Sequence, residues 1–266
     1  MATVNVSTVA ELTAAIADAA VARVVLAAGR YAFTSANKMP SCGHRWPWNA
    51  ATADNFALCI NRSITIEAAV AGTAVLDAQG TNAVTRRVAL IMSQNASDVV
   101  TLIGLNMTGG NSYSRQHGAH SGGCLVIGWV RATLIQCAVY GNAAHNGGHG
   151  IDRHGTGDTT FVRCDFHSNG ILNLGSGGAI TIARDTVDSL ITIEGCAFHH
   201  NSAGSGGAIE YSDTIVRSSL ILRSNTFWNN RARFDGCAIT VRGAALDGTS
   251  YATAIRTERR PAGGRC

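Results

Sequence analysis

Three stretches of the chain, Ser176-Gly-Gly-Ala-Ile-Thr-Ile182, Ser205-Gly-Gly-Ala-Ile-Glu-Tyr211 and Asp235-Gly-Cys-Ala-Ile-Thr-Val241, superpose without gaps. Gly178 and Gly207 are 29 residues apart, as are Gly207 and Gly236. Upstream, Ser121-Gly-Gly-Cys-Leu-Val-Ile127 places Gly123 55 residues before Gly178, two periods away, and Asn146-Gly-Gly-His-Gly-Ile151 supplies the member between. A period of this length marks a solenoid or array, in which each unit buries its apolar face only against its neighbours.

A second signature runs in step with the first: Cys137-Ala-Val-Tyr-Gly-Asn142, Cys164-Asp-Phe-His-Ser-Asn169, Cys196-Ala-Phe-His-His-Asn201 and Asn225-Thr-Phe-Trp-Asn-Asn230. Short β-branched alternations such as Leu190-Ile-Thr-Ile193 lie between the two signatures and read as strands. Units with several short strands and no room for helices predict an all-β fold, a single-stranded right-handed parallel β-helix in which each unit is one rung. Strands stacked at about 4.8 Å place like on like, so Phe166, Phe198 and Phe227 form one inward column and Ile180, Ile209 and Ile239 another. A β-propeller needs blades of about 40 residues, and a leucine-rich repeat needs a Leu-x-x-Leu-x-Leu pattern that does not occur here.

Upstream of the repeats, Thr8 and Glu11 have capping-box spacing, and Val9, Leu12 and Ile16 share one helical face, so residues 7–20 are expected to form a helix that caps the open end of the coil. The solenoid is expected over residues 1–245, with regular repeats at 121–241, an inserted loop at 34–59 and an irregular tail at 246–266. Composition agrees: of 266 residues 30 are Gly and 46 % are hydrophobic, but only 14 % are charged. The net charge of +4 comes from scattered bases, which argues against nucleic acid as a partner because phosphate binding requires clustered ones. No apolar run approaches the roughly 20 residues of a membrane-spanning helix, so no membrane insertion is expected. The first 20 residues show no basic segment followed by an apolar run, so the chain is read as intracellular or as a piece of an exported protein.

The interleaved Gly-Gly-Ala-Ile (Gly177 to Ile180, Gly206 to Ile209) and Phe-x-x-Asn (Phe166 to Asn169, Phe198 to Asn201, Phe227 to Asn230) motifs resemble the repeat of the polymorphic outer membrane proteins of chlamydiae, β-helical surface adhesins. The N-terminal helix and first rungs are similar in a more general way to the pectin-lyase-like superfamily. The resemblance implies a non-catalytic, secreted or cell-surface β-helix, expected as a monomer, that binds a glycan or a surface protein. The alternative is a carbohydrate-active enzyme of the pectin-lyase-like fold, a polysaccharide lyase or glycoside hydrolase. No cofactor or metal is expected, apart from Ca²⁺ under the lyase alternative.

Three sets of residues are candidates for chemistry. Gly148-His-Gly150 looks like an element of polygalacturonases, but it falls where the repeat demands glycine and is read as structural. The column Val126, Asp152, Thr181, Glu210 and Thr240 is expected to face outward. Asp152 and Glu210 then stand roughly 9.6 Å apart, near the upper limit for an inverting carboxylate pair, with Arg153, His154 and Asp158 nearby; Asp152, His154 and Glu210 are the catalytic candidates. Tyr140, His167, His199 and Trp228 follow the buried Phe position and are expected to form an outward strip suited to ligand binding. Trp46 and Trp48, further ligand-binding candidates, lie in the inserted loop bracketed by Cys42 and Cys59, where a disulfide would close a 17-residue loop and contribute ~3 kcal/mol. Cys137, Cys164 and Cys196 share a column and are expected to be buried free thiols.

Overall fold

The computed structural model describes residues 2–39, 55–95, 97–112, 122–145, 148–170, 177–183, 185–211 and 217–241. These residues form a right-handed parallel β-helix with three long parallel sheets. Sheet A stacks Ala2–Val6, Val21–Leu26, Ile64–Ala68, Val99–Ile103, Arg131–Ile135, Thr159–Val162, Leu190–Glu194 and Ser219–Arg223. Sheet B stacks Gly29–Ala32, Ala74–Asp77, Leu105–Thr108, Ala138–Tyr140, Asp165–His167, Ala197–His199 and Thr226–Trp228. Sheet C stacks Phe56–Ile60, Arg87–Met92, Leu125–Gly128, Ile151–His154, Ile180–Ile182, Ile209–Tyr211 and Ile239–Val241.

The helix spans Val9–Ala17, inside the predicted 7–20, and its capping box is formed: Glu11 N donates to Thr8 Oγ1 at 3.2 Å and Thr8 N to Glu11 Oε2 at 3.1 Å. Leu12, Ala15 and Ile16 are buried. Arg62 closes the other end of the helix, donating to the carbonyls of Ala15, Ile16 and Asp18, which have no acceptor role left within the helix. Strand Ala2–Val6 precedes the helix and pairs with Val21–Leu26, so sheet A begins ahead of the cap.

The inward columns are continuous. Phe166, Phe198 and Phe227 are in register, their rings stacked at 4.7 and 4.9 Å, and Ile151, Ile180, Ile209 and Ile239 form a second column. Each fully buried large side chain contributes roughly 1.5–3 kcal/mol, which lets a narrow coil hold together rung by rung. Beside the Phe column, Asn142, Asn169, Asn201 and Asn230 form a ladder in which each Nδ2 donates to the next Oδ1 at 3.0, 3.0 and 2.9 Å. Each amide also donates to a carbonyl of the preceding rung, such as Asn201 to Phe166 O at 2.8 Å, which satisfies a buried turn. Cys137, Cys164 and Cys196 are buried free thiols, and Asn225 continues their column by accepting from Cys196 N at 2.8 Å.

The three corners differ. Sheet A passes to sheet B through residues 27–28, 69–73, 104, 136–137, 163–164, 195–196 and 224–225. A left-handed residue turns this corner at Gly104, Gln136, Arg163, Gly195 and Ser224. Sheet B passes to sheet C through 33–55, 78–86, 109–124, 141–150, 168–179, 200–208 and 229–238, and sheet C to sheet A through 61–63, 93–98, 129–130, 155–158, 183–189 and 212–218. Length varies most at the two borders of sheet C, whereas opposite it no connection exceeds five residues and the last four rungs all turn in two. Connections of variable length carry function in solenoids and other rigid scaffolds, which directs attention to the outer side of sheet C.

Candidate functional site on the loop-bordered face

Pairing on sheet C puts Cys59, Leu90, Val126, Asp152, Thr181, Glu210 and Thr240 in one outward column. The predicted register of Asp152 and Glu210 is present, two rungs apart with Thr181 between. The expectation that this column meets solvent is corrected: Val126, Asp152, Thr181, Glu210 and Thr240 are all buried. The glycine turn that leads into each strand folds over its own outward side chain. A Cβ on Gly177 would lie 2.2 Å from Thr181 Oγ1, and both Gly177 and its counterpart Gly236 have φ near +60°, so only glycine fits. Thr181 Oγ1 accepts from Gly148 N at 2.6 Å and Thr240 Oγ1 from Gly206 N at 3.0 Å, so a small hydroxyl here satisfies the turn of the preceding rung. At the N-terminal end Phe56, Cys59, Leu90, Met92 and Val126 form a separate apolar cluster outside the coil, with Met39 and Trp129 packed on it.

Asp152 and Glu210 replace those hydroxyls with carboxylates. Asp152 Oδ2 lies 2.7 Å from His154 Nε2, and the other ring nitrogen, Nδ1, lies 2.8 Å from Asp185 Oδ1. Both nitrogens thus face carboxylates, and a doubly protonated imidazolium satisfies both contacts. Burial, the largest influence, opposes that charge, but the field and hydrogen bonds of Asp152 and Asp185 together outweigh it and push the His154 pKa up to about 9. Two carboxylates and one imidazolium leave one negative charge. Arg87 answers it from the same face, with its guanidinium 4.9 Å from the Phe56 ring centre and Nε donating to Gly122 O at 2.8 Å. Burial lowers the Arg87 pKa to about 10, while the charge of Asp152 acts to raise it.

Arg153 does not join this group. Neighbouring strand residues alternate, so it enters the interior column between Ile127 and Ile182 and is fully buried. Its guanidinium donates to Thr159 Oγ1 at 2.8 Å, to Gly155 O at 3.3 Å and to Gly157 O, closing the corner between sheets C and A. Asp158 accepts from Leu190 N at 2.8 Å. The nearness of Arg153 and Asp158 to His154 in sequence therefore does not make them members of its cluster: one is turned into the coil and the other is bound to the Leu190 amide. In Gly148-His-Gly150 the glycines have a structural cause: a Cβ on Gly150 would lie 2.6 Å from Ala179 O, and His149 Nδ1 accepts from Ala144 N at 2.9 Å inside the coil.

The aromatic strip is formed on sheet B, and its geometry alters what it can do. Tyr140, His167, His199 and Trp228 stack in sequence at 4.9, 4.9 and 4.2 Å with interplanar angles of 4°, 8° and 13°. The rings cover one another's faces, so the strip presents ring edges, with polar atoms from Tyr140, His167 and His199, and not a plane on which a sugar ring lies flat. Trp46, Trp48 and Cys42 lie outside the described residues. Cys59 is disulfide-bonded.

Sequence reading missed Asp185 as a partner of His154 and Arg87 as a neighbour of Asp152. Asp185 sits in the 183–189 connection, longer than the corresponding connection of every preceding rung, so the repeat up to that point gives it no counterpart. The pair Arg86-Arg87 at the head of an otherwise apolar strand, Arg87-Val-Ala-Leu-Ile-Met92, was the available signal for the other. No protein-family model matches the chain, and no curated protein is similar to it in sequence.

Proposed function

We propose that this chain is a non-catalytic recognition module of the cell surface or extracellular space, a passenger-type β-helix like those of the chlamydial polymorphic outer membrane proteins, with the pectin-lyase-like fold. It binds glycan or protein, as a monomer, through its outward faces. The observation that carries this reading is the state of His154. A general base needs a free lone pair and a pKa near the working pH, whereas this imidazole gives both nitrogens to carboxylates and keeps its proton at neutrality. Between Asp152 and Glu210, where an inverting pair must leave room for water, the register places Thr181, which is buried under its own glycine turn. The cluster therefore serves as a fixed internal ion group that holds the long connections against sheet C. Recognition falls to those connections and to the ring edges of sheet B.

One observation favours the enzyme reading. Asp152 Oδ1 and Asp185 Oδ2 are buried and accept no hydrogen bond among the described residues, which is unusual for carboxylate oxygens outside a functional site. Under that reading the chain is a lyase or hydrolase acting on an acidic polysaccharide, with Ca²⁺ as a further requirement of the lyase. Incubation with a panel of polyuronates and neutral glycans, scored for binding and for new reducing or unsaturated ends, separates the two. Binding without new ends, unchanged in Asp152→Asn, supports recognition. Turnover abolished by Asp152→Asn overturns it.

A further inference from the structure

The outward side of sheet A carries a regularity that the other two faces lack. Pairing without a bulge from Ile64–Ala68 to Leu190–Glu194 sets Thr65, Thr101, Thr133, Thr160 and Thr192 in one column, a threonine on each of five successive rungs. All five are partly exposed, and among the described residues none of their hydroxyls is engaged in a hydrogen bond within the protein. Thr159, Thr181 and Thr240, by contrast, each accept a bond that holds a corner or a turn. A strand takes Val, Ile or Tyr as readily as Thr, so strand preference accounts for one threonine and not for five in register.

The neighbouring column extends the surface. Two residues further along each strand the same face carries Glu67, Ile103, Ile135, Val162 and Glu194, so the middle of the ladder runs beside partly exposed β-branched side chains and charge returns at the ends. Glu67 is neutralised there by Arg23 at 2.7 Å. Successive rungs turn little: the stacked rings of Phe166, Phe198 and Phe227 are 8° and 9° from parallel, against about 20–25° between neighbouring strands of an ordinary sheet. The five threonines therefore form a straight rank about 19 Å long.

A rank of identical groups at one spacing suits a ligand that repeats at that spacing, whereas small molecules are held in concave sites by a few convergent, unlike polar groups. Crystalline water repeats in this way. With four neighbours around each oxygen at about 2.75 Å, the ordinary O–H···O distance, tetrahedral geometry puts equivalent oxygens of hexagonal ice about 4.5 Å apart in the basal plane and about 7.3 Å apart along its axis. The phenylalanine rings place the rungs 4.7 and 4.9 Å apart. Alternate residues of a strand are about 6.6 Å apart, so the fit is closer along the ladder than across it. Branching at Cβ restricts χ1 in threonine, isoleucine and valine, so the surface has little rotamer freedom to lose on binding.

We propose that sheet A is an ice-binding face, on which the hydroxyls of Thr65, Thr101, Thr133, Thr160 and Thr192 bond to a row of lattice water while Ile103, Ile135 and Val162 lie against the crystal beside it. This goes beyond recognition of a glycan or protein and uses none of the residues assigned to that role.

The test is the gap between the melting and freezing points of a single ice crystal in a solution of the full chain, together with enrichment of the chain in a slowly grown ice hemisphere. Both a gap and enrichment are expected. Thr101→Tyr and Thr160→Tyr each raise a large ring above the rank and should lose both effects; tyrosine is a good strand former, and circular dichroism checks that the coil is intact. Thr226→Tyr makes the same change at an exposed position on sheet B and should keep both. No gap and no enrichment with the unaltered chain overturns the proposal, as does full activity in folded Thr160→Tyr. Sedimentation equilibrium showing a dimer that Thr160→Tyr breaks assigns the face to a second copy and overturns it as well.

Discussion

Replacing His154 with glutamine removes the charge that Asp152 and Asp185 share, and the size of its effect follows from the geometry. In the folded chain the imidazole pKa stands at about 9 against an ordinary 6.5, and at 1.36 kcal/mol per unit this corresponds to roughly 3 kcal/mol of folding stability. Because the folded value is the raised one, the contribution is complete below about pH 6.5 and is lost as pH rises through 9. Urea unfolding of the wild type, followed by circular dichroism between pH 6 and pH 10, should show that loss. His154→Gln leaves two buried carboxylates without their cation and should be less stable at neutral pH by about 3–5 kcal/mol, the usual cost of breaking a buried pair. Its stability should also fall less steeply between pH 7 and pH 10. Arg87 and Arg153 titrate near the upper end of this range in both proteins, so the difference between the two profiles isolates His154. Parallel profiles for wild type and variant would refute the imidazolium bridge.

Asn201→Ala removes both rungs of the amide ladder at its centre: the Asn169 backbone N–H loses its acceptor, the Asn169 amide keeps only Val139 O, and Phe166 O loses the donor it had in Asn201. With two buried Asn169 donors losing an acceptor at about 1–3 kcal/mol each, it should cost about 2–6 kcal/mol in urea unfolding, and a loss under about 1 kcal/mol would contradict the ladder's role. Phe198→Ala opens a gap between two stacked rings and should cost about 3–5 kcal/mol by the same measurement. Thr8→Ala removes the helix cap and should cost about 1 kcal/mol, seen as a small fall in thermal midpoint.

The rungs were legible because stacking forces repetition: Phe166, Phe198 and Phe227 occupy equivalent interior sites, and the same constraint aligns the asparagines. The capping box was readable for a similar local reason. What escaped depends on departures from the repeat. Arg153 interrupts an isoleucine column and turns inward because its guanidinium finds four acceptors at the corner, a solution that no single-residue preference announces. Asp185 reaches His154 from a connection whose length none of the preceding rungs shares. Burial of the Asp152 column comes from glycine turns folding back over it, so the residues that define the repeat also hide the candidate site. The aromatic strip was placed correctly on sheet B, but the rings' mutual attraction at rung spacing uses the faces that sugar stacking would need.

The reading of sheet C as a recognition scaffold rests on the protonation of His154, which a ¹⁵N-resolved spectrum of the imidazole at pH 7 measures directly. Two protonated ring nitrogens, with the proton lost only near pH 9, are predicted. A neutral ring with one free nitrogen at pH 7 would contradict the account and place a competent base between Asp152 and Asp185.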